Sequence, residues 1–599
     1  MTGSIAASIF YIVSLVALYV SMFWLRKSEK SLNGTVWLVL TFLTVICWQT
    51  LLAGCLDILH IPVNIWSVGV TNLLSAAAAF LYQWKKKEKQ EYHWEVYDLI
   101  YVVCAVLGAV ICFISTQTPD LDIVFANSDA AVHLKNAVLL VKSCKLPVMY
   151  MAPLQSALTI EAAMPFIAAA EYYKVFMIVD IVLFTIEAMF FMVLIRDFLK
   201  TRAQKVIGIL ALFFYTLGWP VMSYLLSFYY WSLGVMLVGF LMLLIRYYKN
   251  KEINQKYLIF LLMITCNATC MCYMLFGPFS FIAVMIGLIV YRDRREKLLS
   301  KRNIVMALQV FGIPTVLAVY YCYFQFLYKE SMSVGHVIAI DGGIYKGYFM
   351  DFLWLMPFVL YTIIRIIRKK KRMSEDVIFF LCFLVVEAVG TVLAVKGKLS
   401  SYYYFKFYFP LWLFGFIIAV QVVLEWMRQQ VEILVSYVMI AVFLAVMNYG
   451  GIEDKLVNGV SGLESINHAT QFFGIYGYNQ ILRGTIGIAY PQEYLDACNY
   501  VMENLKDEEL VPVITIKDNY ANCYWYEAIT GQDCSDYYGW VYKDDVIQKK
   551  LDHREVNYFV IYIDSLVYER NKAYYDTFER VFENDRVMVC CTDRRIIRD

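Results

Sequence analysis

Long apolar runs recur from the first residues of this chain to about residue 449, and they constrain its fold more than any other feature. A helix needs about 20 apolar residues to cross the hydrocarbon core of a bilayer. The chain is 61% hydrophobic and only 17% charged, which is unlike the composition of a soluble globular protein. We therefore predict an α-helical polytopic membrane protein with about 14 transmembrane helices. The runs lie near residues 4–24, 35–56, 65–83, 97–116, 174–195, 205–220, 226–246, 257–274, 275–291, 304–328, 350–367, 377–395, 407–427 and 431–449.

Basic residues between the runs indicate the orientation, because cytoplasmic loops of membrane proteins hold an excess of lysine and arginine. Basic clusters follow alternate runs, and every arginine before residue 450 falls on the same predicted side. The N-terminus and everything after the last run then lie on the other side. We expect a multi-pass protein of a bacterial cell membrane, surrounded by membrane lipid, with both termini extracytoplasmic.

Residues 154–170 are apolar enough to suggest one further span. A crossing there would move the later arginines outside, against the charge rule. Pro153, Glu161, Pro165 and Glu171 also disfavour a span. We interpret this segment as a re-entrant or surface helix that completes an outer loop.

The same reading divides the chain into four parts. Residues 1–96 form three additional N-terminal helices, and residues 97–449 form a transmembrane core with a large outer loop at 117–173. Residues 450–490, rich in glycine and asparagine, read as a connector. Residues 491–599 lack spanning runs and read as a small extracytoplasmic α/β domain.

Within the last part, apolar stretches alternate with amphipathic ones. We predict strands at 510–516, 556–563 and 587–591, and helices at 494–505 and 572–582. Alternation of this kind favours a partly parallel sheet. It contains no glycine-rich phosphate loop and no catalytic-triad spacing.

The outer loop carries the candidate catalytic residues. Asn127 and Ser128 are good N-cap residues, so a helix is predicted to begin there with Asp129 in its first turn. His133 follows one turn later, and both side chains should point the same way. An apolar stripe on another face would lie on the membrane surface. The alternative is an N-capped surface helix in which the aspartate serves only the helix dipole. The stripe consists of Ala131, Leu134, Val138 and Val141.

Acidic residues also occur inside the predicted spans. Asp180 and Glu187 lie seven positions apart on one helix, and Glu387 lies on another. Such residues face the interior of a helix bundle, where they pair with each other or line a substrate pathway. The sequence leaves both readings open.

Cysteine spacing and net charge exclude some classes of function. The 15 cysteines lack the spacing of a zinc site or of a disulfide framework. The formal charge is +2, and no basic run with interleaved aromatic residues is present, so nucleic acid is not an expected partner.

An acidic first large outer loop with surface helices, many spans and an outer C-terminal domain resembles the GT-C class of membrane glycosyltransferases. The resemblance covers roughly residues 97–449 and rests on Asp129 in NSDAAVH, with Asp120 and Asp122 in PDLD before it. It implies a sugar donor on a polyprenyl phosphate or pyrophosphate carrier. It also implies that an acidic residue of this loop is the base or helps to bind a divalent metal such as Mg²⁺ or Mn²⁺. The chain departs from the class in its three preceding spans and in having alanines after Asp129.

We therefore expect an inverting glycosyltransferase that moves a sugar from a polyprenyl-phosphate carrier to a glycan, lipid or protein acceptor outside the cytoplasm. Asp129 would be the base, and His133 would orient it or the acceptor. Asp120 and Asp122 would form a metal site or a second acidic site. The alternative is a transporter, flippase or polymerase of lipid-linked glycans that uses the intramembrane acids.

Lysines are scarce on the outer side, so those found there are candidates for binding the carrier phosphate. Lys398 ranks first among them because Gly397 allows the backbone to turn close to a ligand. Snorkelling of the side chains to the head-group layer is the alternative. The complete set is Lys135, Lys396, Lys398 and Lys406, with Tyr402, Tyr403 and Tyr404 as contacts for the carrier or sugar.

Overall fold

The protein is described here from a computed structural model. It covers residues 4–24, 32–86, 92–116, 121, 123–125, 129–147, 150–216, 219–225, 227–292, 297–328, 355–370, 372–399, 405–429, 488–515, 520–539 and 541–595. Of the predicted site residues, Asp120, Asp122, Tyr402, Tyr403 and Tyr404 lie outside these ranges.

Helices dominate the first 429 residues. They are α1 (Ile5–Trp24), α2 (Gly34–Ile58), α3 (Ile65–Lys86), α4 (Val96–Thr116), α5 (Asp129–Ser143), α6 (Met151–Ala163), α7 (Tyr172–Arg196), α8 (Arg202–Thr216), α9 (Trp219–Leu225), α10 (Tyr229–Asn250), α11 (Gln255–Cys272), α12 (Phe276–Val290), α13 (Lys301–Ala318, continued by a π-helix Val319–Tyr328), α14 (Met356–Ile367), α15 (Glu375–Val395) and α16 (Tyr408–Gln429).

Ten helices in the described ranges are long and apolar enough to cross a membrane, so the chain is a multi-pass α-helical membrane protein. The predicted number of fourteen is not confirmed. Three of the predicted runs correspond to the shorter helices α8, α12 and α14, and the run at 431–449 lies outside the described residues. Helix α6 has 13 residues, too few for a span, as expected for the segment at 154–170.

Short strands add to this architecture and tie distant segments together. Strand β1 (Leu32–Asn33) pairs in parallel with β2 (Tyr92–His93). Strand β3 (Val124–Phe125) pairs antiparallel with β4 (Ile488–Ala489), so the segment before α5 contacts the segment that leads into the C-terminal part.

The C-terminal segment forms a four-stranded mixed sheet with short helices. Its strands are β5 (Val513–Ile514), β6 (Tyr558–Tyr562), β7 (Phe578–Glu583) and β8 (Val587–Arg595), and its helices are α17 (Gln492–Asn504), α18 (Tyr520–Thr530), α19 (Asp544–Asp552), α20 (Leu566–Arg570) and α21 (Lys572–Tyr575). The strand order is β5-β6-β8-β7, with β5 and β6 parallel and the other pairs antiparallel.

One predicted element of this segment is wrong. The helix expected at 572–582 ends at Tyr575, and Phe578 begins β7. The residues from Phe578 to Phe582 do not alternate strictly between apolar and polar side chains, but β8 offers an antiparallel partner for them. Long-range strand pairing therefore overrides the helical pattern that the local sequence shows.

Helix α5 lies between the transmembrane helices and the C-terminal segment. It packs against α6 on one side and α18 on the other. Ala131, Leu134 and Val138 of its apolar stripe are buried, so the stripe contacts protein and not the lipid surface that we expected. This packing fixes the orientation of α5 and of the polar residues on it.

Candidate active site

Asp129 and His133 both point toward the transmembrane helices. Asp129 is the first residue of α5, and His133 follows one turn later, as the spacing predicted. The His133 ring meets the rings of Tyr230 and Tyr229 edge-on, with centroids 4.8 and 5.4 Å apart. Both tyrosines lie at the start of α10, so the two helices meet at this point.

Lys406 reaches the same place from a distant part of the chain. It lies in a 3-10 turn (Phe405–Phe407) before α16, and its side chain is buried. The Lys406 Nζ atom stands 4.5 Å from the centroid of the Trp231 ring and 5.3 Å from that of Tyr273. Ring faces attract a cation, so these contacts stabilise the buried ammonium. We call the group of Asp129, His133, Lys406 and the four rings the aromatic site; the rings are Tyr229, Tyr230, Trp231 and Tyr273.

Burial and mutual charge alter the protonation of these groups. Burial raises the pKa of the Asp129 carboxyl, and the Lys406 ammonium opposes part of that rise. Burial also lowers the pKa of Lys406 well below its ordinary value, and Asp129 opposes this effect. Each charge therefore supports the other in a poorly solvated place, which is the arrangement of an acid–base site.

His133 is neutral at physiological pH. Burial, followed by the charge of Lys406, lowers the pKa of its imidazole to about 4. Its Nε2 atom is buried and makes no hydrogen bond to any described residue. A buried polar atom of this kind costs free energy unless something binds it. It is suited to hold a polar group of a ligand.

The predicted phosphate-binding lysines fall into three different environments. Lys406 is part of the aromatic site, whereas Lys396 and Lys398 are exposed at the end of α15. The positive φ of Gly397 serves the end of that helix, where the backbone N–H of Lys398 donates to the Leu393 carbonyl. The geometry thus favours Lys406 over Lys398 as the buried cation.

Lys135 faces away from the aromatic site and binds the C-terminal segment. Its Nζ atom lies 3.0 Å from Glu527 Oε2 on α18 and 3.5 Å from Asp533 Oδ1. Two turns further along α5, the Lys142 ammonium donates a hydrogen bond to the Gly531 carbonyl. The structure gives Lys135 a role in joining α5 to the C-terminal segment, and its predicted contact with a lipid phosphate stays a prediction.

An apolar groove of about 460 Å³ runs between α12 and α15. Several of its side chains are half exposed, as befits a groove that opens toward lipid. At one end, the Phe279 ring packs against Phe407, 5.5 Å away, and Phe407 follows Lys406 in the chain. The groove therefore ends beside the aromatic site. It is lined by Phe279, Ile282, Ile286, Met373, Ile378, Leu381, Cys382, Val385 and Val386.

The intramembrane acids are all buried. Glu187 accepts a hydrogen bond from the Tyr215 hydroxyl at 3.2 Å. Asp180 lies within electrostatic range of Tyr229, and Glu387 lies near Tyr408. Asp180 thus borders a residue of the aromatic site, whereas Glu387 borders Tyr408, which lies outside it.

The predicted metal site at Asp120 and Asp122 falls outside the described residues. Within the described ranges, the grouping with ligand atoms close enough for a metal is Cys523, Glu527 and Cys534, whose atoms lie within 4.8 Å of one another. It lies beyond Lys135, on the side of α5 away from the aromatic site. The requirement of sugar transfer for a divalent metal stays a prediction.

The sequence analysis did not predict the four rings of the aromatic site. Phe228, Tyr229, Tyr230 and Trp231 form a run at the start of a span, a position where aromatic residues are common for reasons of membrane anchoring. The run was a signal, but one that anchoring explains equally well.

No family model matches the chain, and no curated protein matches its sequence.

Proposed function

We propose that the protein is a membrane glycosyltransferase that takes a sugar from a polyprenyl-phosphate carrier and passes it to an extracytoplasmic acceptor. The observation that carries this proposal is the aromatic site, in which a carboxylate, a neutral imidazole and a buried ammonium meet beside an apolar groove. Such a site matches a substrate that has a hydroxyl acceptor, an anionic phosphate and a hydrocarbon chain.

Each group has a role in the transfer. The Asp129 carboxylate accepts the proton of the acceptor hydroxyl as its oxygen attacks the anomeric carbon. The bond from that carbon to the phosphate oxygen breaks, and the leaving phosphate carries its negative charge to the Lys406 ammonium. The raised pKa of Asp129 brings it closer to that of an effective base at neutral pH.

His133 would hold the acceptor or the sugar. Because the imidazole is neutral, its Nε2 atom can donate or accept one hydrogen bond without adding charge. The Tyr230 ring packs against it, and rings of this kind stack on sugars. The arrangement would place the acceptor oxygen between His133 and Asp129.

The groove between α12 and α15 would take the first isoprene units of the carrier. Its lining is apolar, and it ends beside Phe407 and Lys406. A carrier lying there would bring its phosphate to the aromatic site. An ordinary acyl chain could fill the same groove but would bring no transferable sugar.

Turnover by purified protein tests the proposal. The protein in detergent is mixed with a panel of radiolabelled polyprenyl-phosphate sugars and a crude envelope acceptor, and release of free polyprenyl phosphate is measured. Release that needs both the protein and the acceptor supports the proposal. A panel with no release beyond that of the protein-free control would contradict it.

Transport or polymerisation of lipid-linked glycans is the second candidate, because Asp180, Glu187 and Glu387 are buried within membrane spans at 7%, 3% and 3% exposure. Under that function, Glu387→Gln would abolish movement of a fluorescent lipid-linked glycan across proteoliposomes. Under the transferase function it would leave turnover within about threefold, since a residue outside the reacting groups contributes little to the barrier.

A further inference from the structure

Two cysteines of the C-terminal segment meet in its interior. Cys523 lies on α18, and Cys534 lies in the turn after it, before the 3-10 turn Ser535–Tyr537. Both side chains are fully buried, and their Sγ atoms lie within 4.8 Å of each other. They belong to no part of the aromatic site.

The surroundings of these thiols disfavour a metal. Glu527, the third member of the group, already has its oxygens engaged: Oε1 accepts from the Tyr538 hydroxyl at 2.6 Å and from the Cys534 backbone N–H at 2.7 Å. Its Oε2 pairs with the Lys135 ammonium at 3.0 Å. A divalent cation would have to displace these bonds and face the lysine charge. The two thiols remain as a pair.

We propose that Cys523 and Cys534 form a disulfide bond in the mature protein. Two thiols give up two protons and two electrons to a disulfide-bearing oxidant, whose own S–S bond breaks to give a dithiol. The Cys523–Cys534 S–S bond forms in exchange. Since a disulfide is about 2.05 Å long, rotation of the side chains must bring the sulfur atoms together.

Burial of both residues sets when the bond forms. Burial raises the pKa of the Cys523 thiol, which makes it a slow nucleophile once the segment has folded. The exchange therefore takes place while the chain is still open to the oxidant. After folding, the same burial shields the bond from reductants.

The bond would brace the contact that holds α5. It joins α18 to the turn whose Cys534 N–H orients Glu527, and Glu527 holds Lys135 on α5. It also requires an oxidising compartment, which agrees with the extracytoplasmic side predicted for residues 491–599. This proposal stands apart from the proposed function, because it rests on neither a sugar nor a carrier.

Mass spectrometry of the full-length protein tests the proposal. Cells are quenched in acid, denatured with N-ethylmaleimide, and the purified protein is digested with and without reductant. We expect a linked peptide containing Cys523 and Cys534 that disappears on reduction. Cys498→Ser, a control at another buried cysteine of the segment, should keep this linkage, whereas Cys523→Ser should leave Cys534 alkylated without reductant.

Two outcomes would overturn the proposal. One is alkylation of both Cys523 and Cys534 in the parent protein before any reductant is added. The other is one equivalent of zinc in the purified parent that is lost in Cys523→Ser, which would assign the thiols to a metal. The measurement on the parent does not depend on any variant folding.

Discussion

Two buried clusters of charge lie at opposite ends of α10, and they differ in what surrounds them. Trp231 and the aromatic site lie near its start, and Arg246 lies roughly 22 Å further along the helix axis. At the Arg246 end, Glu375 receives the Arg246 guanidinium at 2.7 Å and the Lys249 ammonium at 2.9 Å, one on each carboxylate oxygen. We call these three residues the inner ion cluster.

At the aromatic site, by contrast, ring faces surround the buried Lys406 ammonium, and His133 Nε2 meets no hydrogen-bond partner among the described residues. In the inner ion cluster a cation serves each carboxylate oxygen, as in a structural brace. The difference teaches that burial of charge alone does not mark a functional site. An unpartnered polar atom alone does not mark one either, because Arg246 Nη2 also lacks a hydrogen-bond partner among the described residues; the aromatic site differs in setting a neutral imidazole and ring faces beside its buried ammonium.

The largest effect is expected at Asp129. Asp129→Asn keeps the shape of the side chain but cannot accept a proton, so sugar transfer should fall by about 10²- to 10⁴-fold. Release of polyprenyl phosphate measures it, with the melting temperature as a check on folding. Asp533→Asn is the control, since that carboxylate is 67% exposed and lies on the other side of α5. Transfer near the parent rate in Asp129→Asn would remove this residue as the base.

Breaking the inner ion cluster should lower the stability of the protein. Glu375→Gln leaves Arg246 buried without its ionised partner, at a cost of about 3–5 kcal/mol in the free energy of unfolding. Thermal unfolding in detergent measures it. Glu425→Gln breaks a pair with Arg365 whose side chains are each 24% exposed, and it should cost about 0–1 kcal/mol. Equal melting temperatures for the two variants would contradict the assignment of the inner ion cluster as a structural brace.

Removing the Lys406 charge should change both donor binding and the pH dependence of transfer. Lys406→Met keeps the alkyl stem and removes the charge, so the donor KM should rise by about 10- to 100-fold. The lysine charge also lowers the pKa of Asp129, so its loss should raise that pKa further. Because the base acts only when ionised, the fall of kcat/KM at acid pH should then begin at a higher pH. Lys398→Met, at an exposed site, is the control and should change neither quantity; an unshifted acid limb in Lys406→Met would contradict the pairing.

The smallest effect is expected at His133. His133→Ala removes one neutral hydrogen bond to the ligand, so transfer should fall by about tenfold. Since its pKa is about 4, the imidazole does not titrate near neutrality, and the loss should be the same from about pH 6 to pH 8. Rates across this range, with His133→Gln as the variant that keeps a donor, measure the effect. A loss that changes steeply with pH would show that His133 acts as a proton carrier instead.

Much of the local structure around Asp129 could be predicted from the sequence. The cap residues and apolar spacing located α5 with Asp129 in its first turn, and Asp129 and His133 share a face because the helical repeat places positions four apart together. The strand β7 could not be predicted in this way. Its residues have a usable helical pattern, and only the presence of β8 decides between the two forms.

By itself the sequence determined the class of the protein, because hydropathy is a local property that twenty consecutive residues carry without reference to the rest of the chain. It also named Lys406 as one of four candidate lysines, with Lys398 ranked first. Only the tertiary structure distinguished them, burying Lys406 against Trp231, pairing Lys135 with Glu527 and leaving Lys398 exposed. The energy of a charge depends on the groups packed around it, and those groups come from distant helices that no local pattern brings together.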